Sequence, residues 1–322
     1  MGVSMRSRGV TSLRAFALGL VAILAVPGLT HASSGDLDRS FGDRGIATTG
    51  IRGGVSGRAV AVDSHDRIVV AGGPVPFADR SDDFVLTRYR PDGSPDSSFG
   101  GDGRVRTDFG HSETAEGVAV ASQDRVIAVG ESWNGTGLHA PDAVLARYQP
   151  DGHLDPSFGG DGRVRTLIGY QSGANAVAVD SRNRIVVSGA RGTPSDHDFA
   201  LFRYTDGARD PSFGNHGMVD TDFRGGDDYA SSLAIDSRSR LVAAGIGGRG
   251  FALARYRAGG TLDGSFSGNG KVTADVGRSA SYPWRRVGTG WLNGLAIDSH
   301  DRIIGAGTAR IPRGLGVARF HG

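Results

Sequence analysis

"AVAVDSHDRIVVAG", residues 59–72, returns four times along the chain, as "GVAVASQDRVIAVG" at 117–130, "AVAVDSRNRIVVSG" at 176–189, "SLAIDSRSRLVAAG" at 232–245 and "GLAIDSHDRIIGAG" at 294–307. Each copy is two short apolar or alternating runs split by a polar turn, which is how two antiparallel strands with a tight connection read. Two more landmarks keep the same order. A third strand follows each copy ("FVLTRY", "AVLARY", "FALFRY", "FALARY", "LGVARF"), and after the first four of them comes a Gly- and Asp-rich loop, as in "PDGSPDSSFGGDGRV" at 91–105 and "PDGHLDPSFGGDGRV" at 150–164. The Phe of that loop recurs at Phe41, Phe99, Phe158, Phe213 and Phe266, spaced by 58, 59, 55 and 53 residues. The chain therefore reads as five repeats of about 57 residues, a period typical of repeat-built folds.

A run such as "GRVRTDF" supplies a fourth strand to the unit, so one repeat is one four-stranded antiparallel sheet. Nothing after residue 32 keeps a helical period over three turns. The chain's 53 glycines, and its 31 aspartates against three glutamates, favour turns over helices. Sheets of this kind stacked radially make a propeller. The last copy stops at "GVARFHG", after its third strand, and "GDLDRSFGDRGIATTG" at 35–50 supplies the loop and fourth strand it lacks. The expectation is an all-β, five-bladed β-propeller of four-stranded antiparallel blades, closed by pairing Gly45–Thr49 as the outermost strand of the last blade, which removes an exposed edge. That order places "AVAVD" and its equivalents innermost, where small residues fit a crowded axis.

The succession PDGxLDxSFGxxGxV, AVAVxxxDRIVVAG, DFALARY resembles the bacterial delta-60 repeat over residues 36–322. The resemblance implies a β-propeller from a family without an assigned activity, so it supplies no catalytic residues. Departures are Ala121 for the Asp after an innermost strand, Thr205 and Ala258 for the Pro of PDG, and Gly264 and Ser267 within the fourth "SF" loop.

Arg6, Arg8 and Arg14 precede the apolar run "AFALGLVAILAV", and "LTHA" follows with small residues at Thr30 and Ala32. This is the pattern of a secretory signal peptide over residues 1–32, with an apolar stretch short of the roughly 20 residues a spanning helix needs. The mature part, 33–322, is expected to be one propeller domain, secreted or periplasmic, with no membrane attachment after cleavage. The leader holds three of the 36 basic residues and none of the 34 acidic ones, leaving 33 against 34. Arg and Asp alternate throughout, without the cationic face a nucleic-acid binder needs. The absence of cysteine excludes disulfides and thiolate metal sites. No cofactor or metal is expected, and a monomer is.

The repeated charges read as structure. Arg88, Arg147, Arg203, Arg255 and Arg319 share one position in the repeat; Arg67, Arg125, Arg184, Arg240 and Arg302 share another. Recurring beside recurring Asp, they fit charge-assisted joints. Asp92, Asp96 and Asp102 of the loop lack the spacing of a calcium motif. "GIGGRG" at 245–250 imitates a dinucleotide fingerprint but precedes a strand, not the helix that motif requires. No GxSxG or HExxH occurs after the leader.

Function on a repeat scaffold sits in the loops that vary. The irregular connections are 73–82, 131–141, 191–197 and 277–292, all on one face. They carry Trp133, Tyr282, Trp284, Arg285, Arg286 and Trp291, a combination suited to binding. The function read from this is a non-catalytic binding or scaffolding propeller recognising a protein, peptide or glycan through that face. The alternative is a glycan-acting hydrolase whose acid and base come from Glu113, Glu116 and Glu131 near the central funnel, a pair about 5–10 Å apart being required.

Overall fold

The computed structural model describes residues 35–51, 54–74, 83–133, 141–167, 173–193, 196–223, 225–247, 250–274, 292–310 and 313–322. Blade one is β1 (Val55–Val62), β2 (Ile68–Pro74), β3 (Phe84–Tyr89) and β4 (Arg104–Thr107), paired in that order and antiparallel throughout. Blade two repeats the pattern with β5 (Ser112–Val120), β6 (Val126–Trp133), β7 (Asp142–Tyr148) and β8 (Arg163–Thr166). Blade three has β9 (Ala174–Val179), β10 (Ile185–Thr193), β11 (Asp196–Thr205), a two-residue β12 (Ala208–Arg209) and β13 (Met218–Thr221), the last two both pairing with β11. Blade four is β14 (Tyr229–Ile235), β15 (Leu241–Gly247), β16 (Gly250–Tyr256) and β17 (Lys271–Ala274). Blade five contributes β18 (Leu292–Ile297), β19 (Ile303–Arg310) and β20 (Arg313–Phe320). The strands β1, β5, β9, β14 and β18 touch one another in series and line the axis. The fold is an all-β five-bladed propeller; among the described residues, one 3-10 turn at Ser122–Asp124 is the sole helical element.

The middle strands read as continuous apolar runs because neighbouring blades cover both their faces. Every residue of β15 and β16 is buried. Each apolar cluster bridges two blades: Phe99 sits with Leu86 of blade one and Val144 and Ala146 of blade two, and Phe158 sits with Leu145 of blade two and Phe202 of blade three. Burying one such ring contributes about 1.5–3 kcal/mol, so these Phe residues are a main source of blade cohesion.

The repeated loop is a joint. Arg88 is fully buried; its Nε donates to Asp96 Oδ2 at 2.7 Å, its Nη1 to the Pro150 carbonyl of the next blade at 2.6 Å, and its guanidinium lies 4.6 Å from the Phe99 ring centroid. The set recurs as Arg147 with Asp155 and Phe158, Arg203 with Asp210 and Phe213, and Arg255 with Asp263 and Phe266. The second arginine set points at the same carboxylates, Arg67 to Asp96 at 3.9 Å and Arg125 to Asp155 at 3.4 Å. Asp92 accepts from the N–H and hydroxyl of Ser94, and Gly93 beside it takes a φ of +82° that a side chain disfavours. Asp102 accepts from Arg104 N–H. The loop carboxylates thus serve turns and arginines.

A latch between blades accompanies each joint. Thr107 Oγ1 and Tyr148 OH are 2.6 Å apart, and Thr166–Tyr204 and Thr221–Tyr256 repeat the contact. The N-terminal segment makes the same two contacts on blade one that an outer strand of a preceding blade makes: Thr49 Oγ1 lies 2.5 Å from Tyr89 OH, and Gly42 N–H donates to Asp92 O as Gly100 does to Asp151 O. Among the described residues, no ladder joins residues 45–49 to β20.

Candidate functional site

Each innermost strand breaks register once, at the same place. The bulged residues are Arg58, Glu116, Asn175, Ser231 and Asn293, each five positions before the residue that opens the following turn. A bulge adds one residue to one strand and re-aims its side chain. All five line one cavity of about 620 Å³ on the axis.

The glycine that closes "VVAG", "IAVG", "VVSG" and "VAAG" belongs to the bulge. A Cβ on Gly72, Gly130, Gly189 or Gly245 would overlap the carbonyl of Ser56, Thr114, Gly173 or Tyr229, the residue two before the bulged one. The recurring Gly is thus a steric requirement of the site's backbone.

The bulged side chains also span the blades. Arg58 Nη1 lies 3.1 Å from both carboxylate oxygens of Glu116 in the next blade. Asn175 Nδ2 donates to Ala230 O at 3.0 Å, and Ser231 Oγ donates to Leu292 O. Beyond them, β6 brings in Glu131 at a position held elsewhere by Gly73, Ala190, Ile246 and Thr308. Trp133 Nε1 donates to Glu131 Oε2 at 3.1 Å. Burial pushes the Glu131 carboxyl above its ordinary range, and the nearby Glu116 charge pushes it further. Glu116 is likewise raised by burial, with Arg58 working against the shift. Tyr229 also lines the cavity; its hydroxyl lies 3.1 Å from His197 Nδ1, which is 2.6 Å from Asp227 Oδ1.

Of the residues expected from the sequence, Trp133, Glu116 and Glu131 come together here. Glu113 does not: it is fully buried between strands and away from the cavity lining. Tyr282, Trp284, Arg285, Arg286 and Trp291 lie outside the described residues. Sequence reasoning missed Arg58, Asn175, Ser231, Asn293 and Tyr229. A signal for the bulged four exists: in the repeated run before the turn, one column reads R, E, N, S, N while its neighbours are Gly or Ala in all places but Ser232 and Leu292.

The site and fold define a propeller with an axial pocket of non-repeating polar groups on a repeating frame. In comparisons with known proteins, the family described as "Domain of unknown function (DUF5122) beta-propeller" matches residues 66–99 and 124–158, two consecutive copies of one span, each ending on a buried joint Phe. Among solved structures, a protein of unknown function from Dyadobacter fermentans is similar at 12% identity and a TM-score of 0.53, over 83% of this chain and 79% of that one. A gluconolactonase from Xanthomonas campestris (16% identity, TM-score 0.43, 81% and 71% covered) and an inactive virginiamycin B lyase from Staphylococcus aureus (10%, 0.46, 84% and 71%) are more distant neighbours. No curated protein matches the chain significantly. The likeness to the Dyadobacter fermentans protein is one of fold alone. Among the described residues, no helix is long and apolar enough to cross a membrane.

Proposed function

We propose that the protein is an exported, non-catalytic binding propeller that recognises a glycan through the irregular-loop face, with the axial cavity as its anchor. The single observation that carries this reading is the ring of five bulged residues, all polar and of four chemical kinds, around one cavity. A structural role alone calls for the same residue in every blade, as at the Arg88 and Phe99 positions. Carboxylate, guanidinium, amide and hydroxyl groups can each meet a sugar hydroxyl, and the half-exposed Trp133 offers an apolar face of the kind binding sites use. The test is a glycan-binding screen of the chain from residue 33, run beside Trp133→Ala and Asn293→Ala. Saturable binding lost in the variants supports the reading; binding indifferent to both removes it.

One observation favours a second reading, hydrolysis. Glu116 and Glu131 share the cavity, both raised by burial and Glu131 further by the Glu116 charge, and neighbouring carboxyls are the groups an acid and base pair is built from. Turnover of a bound glycan, abolished in Glu131→Gln with binding retained, would establish it.

A further inference from the structure

Away from the cavity, three carboxylates converge where blades one and two meet. Asp83 precedes β3, Asp108 follows β4 and Glu113 lies near the start of β5, each with an oxygen within 4.8 Å of the others. Glu113 Oε1 accepts from His111 N–H and Ser132 Oγ, both at 2.8 Å. Its Oε2 is buried without a hydrogen-bond partner. A fully buried carboxylate oxygen lacking a donor is costly and calls for a proton or a cation. Arg165 reaches the edge of this cluster, at Ser132 Oγ and Phe109 O, and these bonds leave Oε2 unmet.

The arrangement is built a second time where blades three and four meet. Asp198, Asp222 and Asp228 again place oxygens within 4.8 Å of one another. Asp198 corresponds to Asp83, Asp222 to Asp108 and Asp228 to Glu113 by their places relative to the strands. Asp228, like Glu113, is fully buried, but its Oδ2 accepts from Phe223 N–H at 2.6 Å. In both clusters the first two acids are followed by Phe, and the rings pair: Phe84 with Phe109 at 5.2 Å and Phe199 with Phe223 at 4.8 Å. Burial pushes the Asp198 carboxyl up, and Asp222, Asp196, Asp228 and Asp220 all push it further, a measure of the crowding of negative charge. At the junction of blades two and three the cluster is broken by Leu167, and the remaining Asp142 is paired with Arg165 at 3.1 Å.

We propose that the cluster between blades one and two, where Glu113 Oε2 lacks a partner, binds a hard divalent cation of the calcium type. The donors are all carboxylate oxygen, with neither His nor Cys, which selects calcium or magnesium over zinc or copper. Calcium takes about six to eight oxygens in a forgiving geometry, which three carboxylates and water can supply. The bound ion satisfies Glu113 Oε2 and ties blades one and two together.

The experiment is calorimetric titration of CaCl2 into the chelator-treated full chain, with thermal unfolding in parallel. Glu113→Gln removes the buried ligand; Asp108→Asn alters the exposed one and serves if the first variant misfolds. One equivalent is expected in the parent chain, weakened at least about tenfold in each variant, with a smaller calcium-induced rise in Tm. Absence of heat and of any Tm shift up to about 10 mM CaCl2, weaker than the range of extracellular calcium modules, overturns the proposal. So does an equivalent that persists at full affinity in both variants.

Discussion

Trp133 holds Glu131 by a single indole N–H bond of 3.1 Å to Oε2, so the aromatic wall and the raised carboxyl of the cavity are one unit. Trp133→Ala is therefore expected to weaken ligand binding by about tenfold or more, the loss typical of an aromatic anchor. An Arg104→Ala change, on β4 and away from the cavity, leaves affinity unchanged. Titration of the screened glycan against each variant measures the contrast.

The raised Glu131 carboxyl fixes the sign of a pH effect. Its native form holds a proton more tightly than the unfolded chain, so it lowers stability as pH rises above the unfolded value near 4.5. Glu131→Gln is expected to raise Tm at pH 7.5, with the gain fading toward pH 4.5. A gain that grows on acidification contradicts this.

The joint carboxylates run the other way. Burial pushes Asp96 up, but hydrogen bonds from Ser98 and the charge of Arg88 outweigh it and hold it below its ordinary value; Asp155, Asp210 and Asp263 follow with their own partners. Their contribution is present above the unfolded value near 3.8 and is lost as pH falls through the native ones. Arg88→Met leaves Asp96 buried without its nearest cation and should cost about 3–5 kcal/mol by denaturant unfolding. Arg58→Ala, at a partly exposed pair, should cost no more than about 1 kcal/mol.

The bulge glycine is open to a direct test. Gly130→Ala drives a methyl into the Thr114 carbonyl and should destabilise by about 1–3 kcal/mol, as overpacking does. Gly294→Ala meets nothing closer than Ala306 O at 4.0 Å and should be tolerated.

Ring closure predicts a cross-link. Leu86 pairs with Val105 and Leu145 with Val164, and both leucines are fully buried; Val317 holds the equivalent place in β20 and is 71% exposed. By that register its partner is Ala47. In a chain without cysteine, Ala47→Cys with Val317→Cys should form an intramolecular disulfide on oxidation, seen as lost thiols and a shifted mobility. Free thiols or dimers alone would count against closure.

The frame was legible in the sequence because its determinants repeat. Phe99, Arg88 and Asp96 recur with fixed spacing, and recurrence is visible without coordinates. The pocket was only half legible, for the opposite reason. Arg58, Asn175, Ser231 and Asn293 share a column but not a residue type, and the register shift that turns them toward the axis is a backbone event with no letter of its own. Glu116 and Glu131 were found through their rarity, since the chain has three glutamates. Glu113, chosen on the same ground, proved to be buried among strands, because one step along an alternating strand decides which side a carboxylate faces. The two acidic clusters draw on segments about 30 residues apart and form only once a blade packs on its neighbour.

The five bulged positions also bear on how such a protein changes over generations. Blades share one frame, so copying or exchanging a blade within the gene replaces a single wall of the pocket and leaves the other four standing. The present reading R, E, N, S, N is one five-letter word written with four residue types, and a new pocket lining is one substitution, not one fold, away.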